Sequence, residues 1–182
     1  KQLQFLAPLG TTSHFYGAVT LPSVLFVCTA NINRSVMAEA IFRDKLSRSK
    51  YNPEEWVIES AGTWAKVGIR PPREPQQVLS NLGLDVSKHC SRVISDAVVR
   101  NVNLILTMDP GHKEALRIEF PEIARQVYLL SEMADEVKPI DDPMGKSIQF
   151  YEATLNQIQR YVDIGFNRII QHSIIGNIRF TL

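Results

Sequence analysis

Residues 24–35 read VLFVCTANINRS, an apolar run that ends in a cysteine and passes into a polar segment. The run Val24–Thr29 has the length and composition of a strand buried inside a parallel sheet. Five residues separate Cys28 from Arg34, after which apolar residues recur at helical spacing. This pattern predicts a strand that delivers a cysteine, then a short loop, then a helix that begins at Arg34.

The rest of the chain repeats this alternation of strands and helices. The predicted strands are residues 24–29, 56–60, 102–107 and 126–130, and the predicted helices are residues 34–49, 75–82, a segment opening at 109–110, and 147–172. Such βαβ units connect in a right-handed sense, so we expect an α/β fold: a doubly wound, four-stranded parallel sheet with helices on both faces. Ligands of these sheets bind beyond the carboxyl ends of the strands, which points to residues 28–34.

Composition narrows the classes of function. The chain has 182 residues and a net charge of +1, which argues against bulk electrostatic binding to nucleic acid. No apolar run reaches the ~20 residues that span a bilayer, and the first residues lack the pattern of a signal peptide. Two cysteines are too few for a disulfide scaffold and are not spaced for zinc. We expect a cytoplasmic protein without metal or cofactor and without nucleic-acid or membrane partners.

The segment from Cys28 to Ser35 contains the residue types of a phosphate site. Main-chain N–H groups of a loop that curls into a helix N-terminus bind anions, and the same positive field stabilises a thiolate, the nucleophilic form of cysteine. Arg34 has a guanidinium that can hold two phosphate oxygens, and the Ser35 hydroxyl can donate to the sulfur. The alternative is that Cys28 is a small buried residue. Arg34 speaks against it, because a cation at a positive helix end is unfavourable without an anion.

Four further segments follow this loop in a fixed order. They are Ser60-Ala-Gly-Thr63, His89-Cys-Ser-Arg92, Leu104-Ile-Leu-Thr-Met-Asp109 and Asp142-Pro143. Together with the Cys-x5-Arg-Ser loop they resemble the low-molecular-weight protein tyrosine phosphatases over about residues 22–172. Five ordered matches are far more specific than one.

The resemblance implies a role for each matching residue. Cys28 is then the nucleophile, Arg34 clamps phosphate, and Asp142 donates a proton to the leaving group. The residues expected to bind substrate are Thr29, Ala30, Asn31, Ile32, Asn33, Ser35 and Trp64. The partners expected from the resemblance are a phosphorylated protein substrate and inorganic phosphate or sulfate in the loop.

The resemblance also implies how the loop is supported. In the family the loop asparagine, here Asn31, is held in a strained turn by side-chain hydrogen bonds. Ser35, Ser60 and His89 stand in the places of its partners, so we expect Ser60 and His89 to support the loop and take no part in catalysis.

Asp142 has a plainer explanation, because Asp141-Asp142-Pro143 is also a usual turn before a helix. A phenolate or amine leaving group needs a proton as its bond to phosphorus breaks, so a carboxylic acid must lie within reach. Given the Cys28 loop, we favour Asp142 as the acid and Asp141 as a solvated neighbour.

The chain departs from the family pattern at three positions. Ala30 replaces the usual loop glycine, Asn33 replaces a second cysteine that commonly protects the nucleophile, and Met144 replaces an aromatic residue. Relatives that hydrolyse phosphoarginine share the Asp-Pro-x-Gly-x-Ser pattern of residues 142–147 but typically have threonine in place of Ile32. An apolar isoleucine suits a phenyl ring better than a guanidinium, so we expect phosphotyrosine as the substrate.

Other functions stay open on the sequence. A phosphoarginine phosphatase fits the same residues, and so does a phosphoprotein-binding module that turns over poorly. An arsenate reductase of this fold needs further thiols, and Cys90 alone leaves only a form that uses an external thiol. Trp64 is either a wall of the cleft or a core residue, whereas Trp56 is expected in the core.

The two ends of the chain lie outside the resemblance. We expect an N-terminal extension of unknown role at residues 1–21, a phosphatase domain at 22–172 and a C-terminal tail at 173–182. Both end segments are apolar and strand-like in composition, and they could pair with each other or mediate dimerisation.

Overall fold

The fold is built on a four-stranded parallel sheet. The computed structural model describes residues 21–178, with side chains as far as residue 174. Its strands are β1 (Ser23–Cys28), β2 (Val57–Gly62), β3 (Leu104–Thr107) and β4 (Val127–Leu129). They lie in the order β2-β1-β3-β4. All four predicted strands are confirmed, each to within two residues at either end.

Helices connect these strands on both faces of the sheet. The α-helices of the described residues are α1 (Arg34–Ser47), α2 (Arg73–Ser80), α3 (Asp96–Val99), α4 (Pro110–Glu119) and α5 (Ile148–Ile178). Short 3-10 turns lie at Pro53–Glu55, Pro121–Gln126 and Leu130–Ala134. The predicted α/β fold class is therefore confirmed.

β1 is the central strand, and its side chains fill two cores. Successive residues of a strand point to opposite faces, so Val24, Phe26 and Cys28 pack with α1, α2 and α5. Leu25 and Val27 pack on the other face with α3 and α4. The strand order reverses beside β1, so its carboxyl end opens on the crevice where ligands of such sheets bind.

An aromatic cluster holds α1 against the sheet and α5. The ring of Phe42 lies 5.7 Å from Phe26, 6.1 Å from Trp56 and 5.9 Å from Phe166, measured between centroids. Trp56 is buried immediately before β2, which confirms its predicted place in the core. Loss of the Phe42 ring would cost about 3–5 kcal/mol, because the cluster cannot close over the gap.

α5 continues past its predicted end at residue 172. Ile170 and Ser173 are three residues apart and both buried, so this face of the helix is still docked there. Each further residue then adds one backbone hydrogen bond at little entropic cost. The expectation of a strand is therefore wrong for residues 173–178. The remaining tail residues and residues 1–20 lie outside the described residues.

The described helices include none with the length and apolar character needed to cross a membrane.

Candidate active site

The carboxyl end of β1 opens into the loop that carries the predicted site. Cys28 ends the strand and is buried, and α1 begins six residues later at Arg34. The main-chain oxygens of Cys28 and Thr29 accept hydrogen bonds, both 2.9 Å, from the N–H groups of Thr63 and Trp64. The N–H groups of residues 29–33 have no acceptor among the described residues. These unpaired donors lie in the loop between Cys28 and the N-terminus of α1, and we call this loop the cradle because such a loop is suited to bind an anion.

The loop approaches the end of β2 very closely, and Gly62 makes this possible. A Cβ atom at Gly62 would lie 2.5 Å from the main-chain oxygen of Thr29 and 3.1 Å from the carbonyl carbon of Ala30. Both are backbone atoms that cannot turn aside. A glycine is therefore required at the position that pairs with Cys28 in the sheet.

Asn31 is the turning point of the loop. Its φ of 55° lies in the left-handed region, which is unfavourable for residues other than glycine. The fully buried side chain donates to the hydroxyls of Ser35 at 3.0 Å and Ser60 at 2.9 Å, and its main-chain oxygen lies 2.9 Å from Nε2 of His89. These contacts confirm the expected partners of Asn31. The N–H of Arg92 also donates to Oδ1 of Asn31 at 3.0 Å, a contact that the sequence did not predict.

Within residues 21–174, the thiol of Cys28 has one side-chain hydrogen-bond partner. Its Sγ lies 3.0 Å from Oγ of Ser35 at the start of α1. Ser35 is itself fully buried and also accepts from Asn31, so its hydroxyl is held in place and can turn its proton towards the sulfur. A hydroxyl in that position stabilises sulfur as a thiolate.

Arg34 is almost completely buried, with 4% of its surface exposed. Its Nη1 donates to the main-chain oxygen of Ile140 at 3.0 Å, and its Nη2 donates to Oδ2 of Asp142 at 2.6 Å. Longer contacts of 3.4 Å join Nη1 to Asp109 and Nη2 to Oγ1 of Thr29. The Nε–H is buried and has no partner within the described part of the chain. An unpaired buried guanidinium donor is costly, and an oxyanion would satisfy it.

The sequence did not predict that Asp109, which contacts Arg34, and His112, which contacts Asp109, contribute to the site. Asp109 caps α4 by accepting from the N–H of His112 at 3.0 Å, and its Oδ2 lies 2.9 Å from Nδ1 of His112 in a bent contact. Burial acts to raise the pKa of Asp109, but contacts with the side chain and N–H of His112 and the charges of His112 and Arg34 outweigh it. They lower that pKa to about 2. Asp109 was predicted as the end of a family motif and the start of a helix, with no role at Arg34.

The loop that carries Asp142 is joined to the cradle in two places. Asp142 accepts from the N–H of Met144 at 3.1 Å and contacts Arg34, while 42% of its side chain stays exposed. The amide of Asn33 donates to the sulfur of Met144 at 3.8 Å. Two departures from the family pattern, Asn33 and Met144, are thus in contact with each other. Asp141 is exposed, as expected.

The entrance to the cradle has apolar side chains. Trp64 follows β2, is hydrogen-bonded to the loop through its N–H, and is 85% exposed. The alternative of a core tryptophan is therefore wrong for this residue. Ile32 is half-buried within the loop, and Met144 is exposed beside Asp142. The structure thus brings every predicted site residue to one edge of the sheet.

A buried thiol in a cradle of free N–H groups, closed by an arginine, is the type of site used by cysteine-dependent phosphatases. The family model of low molecular weight phosphotyrosine protein phosphatases matches residues 23–171. The chain belongs to this family.

Two curated relatives illustrate the similarity. The probable low molecular weight protein-tyrosine-phosphatase EpsP of Ralstonia nicotianae is 34% identical, over 82% of this chain and 97% of that protein. The low molecular weight protein-tyrosine-phosphatase Wzb of Escherichia coli is 35% identical, over 76% of this chain and 88% of that protein.

Three solved structures share the fold, with TM-scores from 0.70 to 0.75. A low molecular weight protein tyrosine phosphatase from T. tengcongensis is 30% identical with a TM-score of 0.75, over 80% of this chain and 98% of that one. The YwlE arginine phosphatase from Geobacillus stearothermophilus is 25% identical with a TM-score of 0.74, over 84% and 95%. Wzb from Escherichia coli K30, in complex with sulphate, is 26% identical with a TM-score of 0.70, over 84% and 99%.

Proposed function

We propose that the protein hydrolyses phosphotyrosine in a phosphorylated protein through a cysteinyl-phosphate intermediate. The observation that carries this proposal is the cradle that follows Cys28: the N–H groups of residues 29–33 and the buried Nε of Arg34 have no acceptor within the described part of the chain. Each of these donors needs an acceptor, and a phosphoryl group provides three equatorial oxygens.

In the first step, the Cys28 thiolate attacks phosphorus opposite the leaving oxygen. The S–P bond forms, the P–O bond to the tyrosine ring breaks, and Asp142 transfers its proton to the departing phenolate. Arg34 and the loop N–H groups stabilise the charge on the equatorial oxygens. Because Nη2 of Arg34 contacts Asp142, we propose that the phosphate takes over this Nη2 group and leaves Asp142 free to carry a proton.

In the second step, water attacks phosphorus while the ionised Asp142 accepts a proton from it. The S–P bond breaks, inorganic phosphate leaves, and Cys28 returns as a thiolate. Ser35, at 3.0 Å from the sulfur, stabilises this leaving thiolate by donating its hydroxyl proton. Both steps balance with water as the only co-reactant.

The entrance of the cradle favours an aromatic substrate. Ile32 is half-buried in the loop, and the exposed Trp64 is tied to the same loop through Thr29, so we propose that both contact a phenyl ring. The relatives EpsP and Wzb are named protein-tyrosine-phosphatases, which supports the same substrate. We propose a cytoplasmic location, where such substrates occur.

A phosphoarginine phosphatase is the second candidate. Some structural neighbours are named arginine phosphatases, and Asp142-Pro143-Met144-Gly145-Lys146-Ser147 fits the Asp-Pro-x-Gly-x-Ser pattern that the sequence resemblance assigns to such relatives. Phosphoarginine would use the same thiol, clamp and acid, with nitrogen in place of oxygen as the leaving atom.

The test is a comparison of two peptides of one sequence, one carrying phosphotyrosine and one carrying phosphoarginine. Release of phosphate from the tyrosine peptide with the higher kcat/KM supports the proposal, and a preference for the arginine peptide selects the second candidate. An aryl phosphate assay with inorganic phosphate or vanadate added tests the cradle itself. Competitive inhibition is expected, and turnover of none of these substrates contradicts an enzymatic function.

A further inference from the structure

Four residues behind the cradle form a closed ring of contacts. Nη2 of Arg34 lies 3.4 Å from Oγ1 of Thr29, and Oγ1 of Thr29 lies 2.9 Å from Nε2 of His112. Nδ1 of His112 lies 2.9 Å from Asp109, which returns to Nη1 of Arg34 at 3.4 Å. The ring joins the cradle loop, the start of α1, and the junction of β3 with α4.

The acceptors of this ring face the guanidinium. Asp109, whose pKa is lowered to about 2, is ionised at neutral pH and only accepts. Oγ1 of Thr29 accepts from Nη2 of Arg34 and lies 2.9 Å from Nε2 of His112, so the ring nitrogen holds the threonine oxygen beside the guanidinium whichever of the two atoms donates. His112 is 7% exposed, so water does not offer these atoms a ready alternative.

The ring also explains how the guanidinium of Arg34 is oriented. Nη1 of Arg34 contacts Asp109 and the main-chain oxygen of Ile140, and Nη2 contacts Thr29 as well as Asp142, whereas Nε has no partner among the described residues. At 3.4 Å the contacts with Asp109 and Thr29 are each weak, so neither fixes the guanidinium alone. A ring in which Thr29 and Asp109 are themselves tied together by His112 fixes it better than two independent contacts do.

We propose that Thr29, His112 and Asp109 act as positioning residues that orient Arg34 for the phosphate group. This inference rests on the proposed function only in that Arg34 is taken as the oxyanion clamp. It gives the buried His112, which takes no part in the proposed catalytic steps, a role in orienting Arg34. It also explains why a threonine, with its hydroxyl turned away from the free N–H groups, follows the nucleophile.

The test uses Thr29→Val, which keeps the shape of the side chain and removes the hydroxyl, beside Thr29→Ser, which keeps the hydroxyl. The dissociation constant of inorganic phosphate, measured by calorimetry on the full chain, reports on the clamp without turnover. We expect Thr29→Val to weaken phosphate binding about tenfold and Thr29→Ser to stay within about twofold of the unaltered protein. Thr154→Val, at a buried threonine of α5, is the matched control and should leave binding unchanged.

The double variant Thr29→Val with His112→Leu tests the ring. Because both changes break the same connection, the double variant should bind phosphate no more than about twofold more weakly than Thr29→Val. Equal phosphate binding by Thr29→Val and Thr29→Ser overturns the inference, even if both lower the melting temperature. The proposed function is tested separately by aryl phosphate turnover of the unaltered protein, so it can fail while phosphate binding still decides the role of the ring.

Discussion

Nη2 of Arg34 lies 2.6 Å from Oδ2 of Asp142, although 108 residues separate them in the chain. The other carboxylate oxygen of Asp142 accepts from the N–H of Met144. The proposed clamp and the proposed acid are therefore paired with each other. A phosphate that binds Arg34 competes for the same Nη2 group, so the arrival of substrate and the release of the acid are coupled.

Replacement of Asp142 by Ala should slow turnover strongly for substrates with poor leaving groups and less for good ones. Proton donation is worth about 10²–10⁴-fold and matters most when the leaving oxygen is basic. The measurement is kcat across a series of aryl phosphates of increasing phenol basicity. Asp141→Ala, at the exposed neighbour, is the control. Equal losses across the series, or a larger loss in the control, would show that Asp142 is not the acid.

Cys28→Ser should abolish aryl phosphatase activity and leave the fold intact. A serine hydroxyl ionises far less readily than a thiol in the same cradle, so the attacking anion is missing. Initial rates on an aryl phosphate should fall by more than about 10³-fold, with an unchanged circular dichroism spectrum. The exposed Cys90 provides the matched control, since Cys90→Ser should retain full activity. A Cys28→Ser rate within tenfold of the unaltered protein rules out this nucleophile.

Protonation of Asp109 in acid should lower the free energy of unfolding of the protein. Its pKa is lowered to about 2 from an ordinary 3.8, so the ionised form stabilises the fold. This contribution is present above about pH 4 and disappears as the pH falls to 2, and it amounts to about 2 kcal/mol. Urea unfolding should therefore show Asp109→Asn less stable than the unaltered protein at pH 7, with the difference gone at pH 2.

The exposed Asp141 supplies the control for this measurement. Asp141→Asn should unfold like the unaltered protein at both pH values, because its side chain has no hydrogen-bond partner among the described residues. A constant difference for Asp109→Asn from pH 7 to pH 2 would mean that the ionised carboxylate does not contribute, and that Asn removes something else.

The parts of the site that are contiguous in sequence could be predicted from spacing alone, because Cys28, Asn31 and Ser35 lie within one strand–loop–helix unit. The contacts of Asn31 with Ser60 and His89 come from other elements and were expected only from the family resemblance. The contact of Asp109 with Arg34 arises because β3 lies next to β1, and periodicity does not determine which strands are neighbours. Asp109 was accordingly predicted as a member of a family motif and as the start of a helix, without a role at Arg34.

Two errors in the fold have the same kind of origin. α3, at Asp96–Val99, is a single turn and too short to show a helical period. The apolar residues after Ser173 resemble a strand in composition, but they extend a helix that is already docked. In both segments the local sequence alone did not determine the secondary structure, and packing against the rest of the fold did.

The substrate preference should depend on Ile32. This half-buried isoleucine of the cradle loop offers apolar contact to a phenyl ring and no acceptor for guanidinium N–H groups. Burying such donors unpaired costs about 1–3 kcal/mol, which corresponds to about a tenfold to hundredfold preference for phosphotyrosine. Ile32→Thr keeps the β-branch, shortens the apolar side chain and supplies a hydroxyl acceptor. It should therefore shift the ratio of kcat/KM values towards phosphoarginine by about tenfold.

The control for this prediction is Ile69→Thr, the same change at an exposed position after β2, which should leave the ratio unaltered. The measurement is kcat/KM for matched phosphotyrosine and phosphoarginine peptides on all three proteins. If the unaltered protein prefers phosphoarginine, the proposed substrate is wrong while the cysteine mechanism stands. If Ile32→Thr and Ile69→Thr shift the ratio equally, Ile32 does not determine the preference.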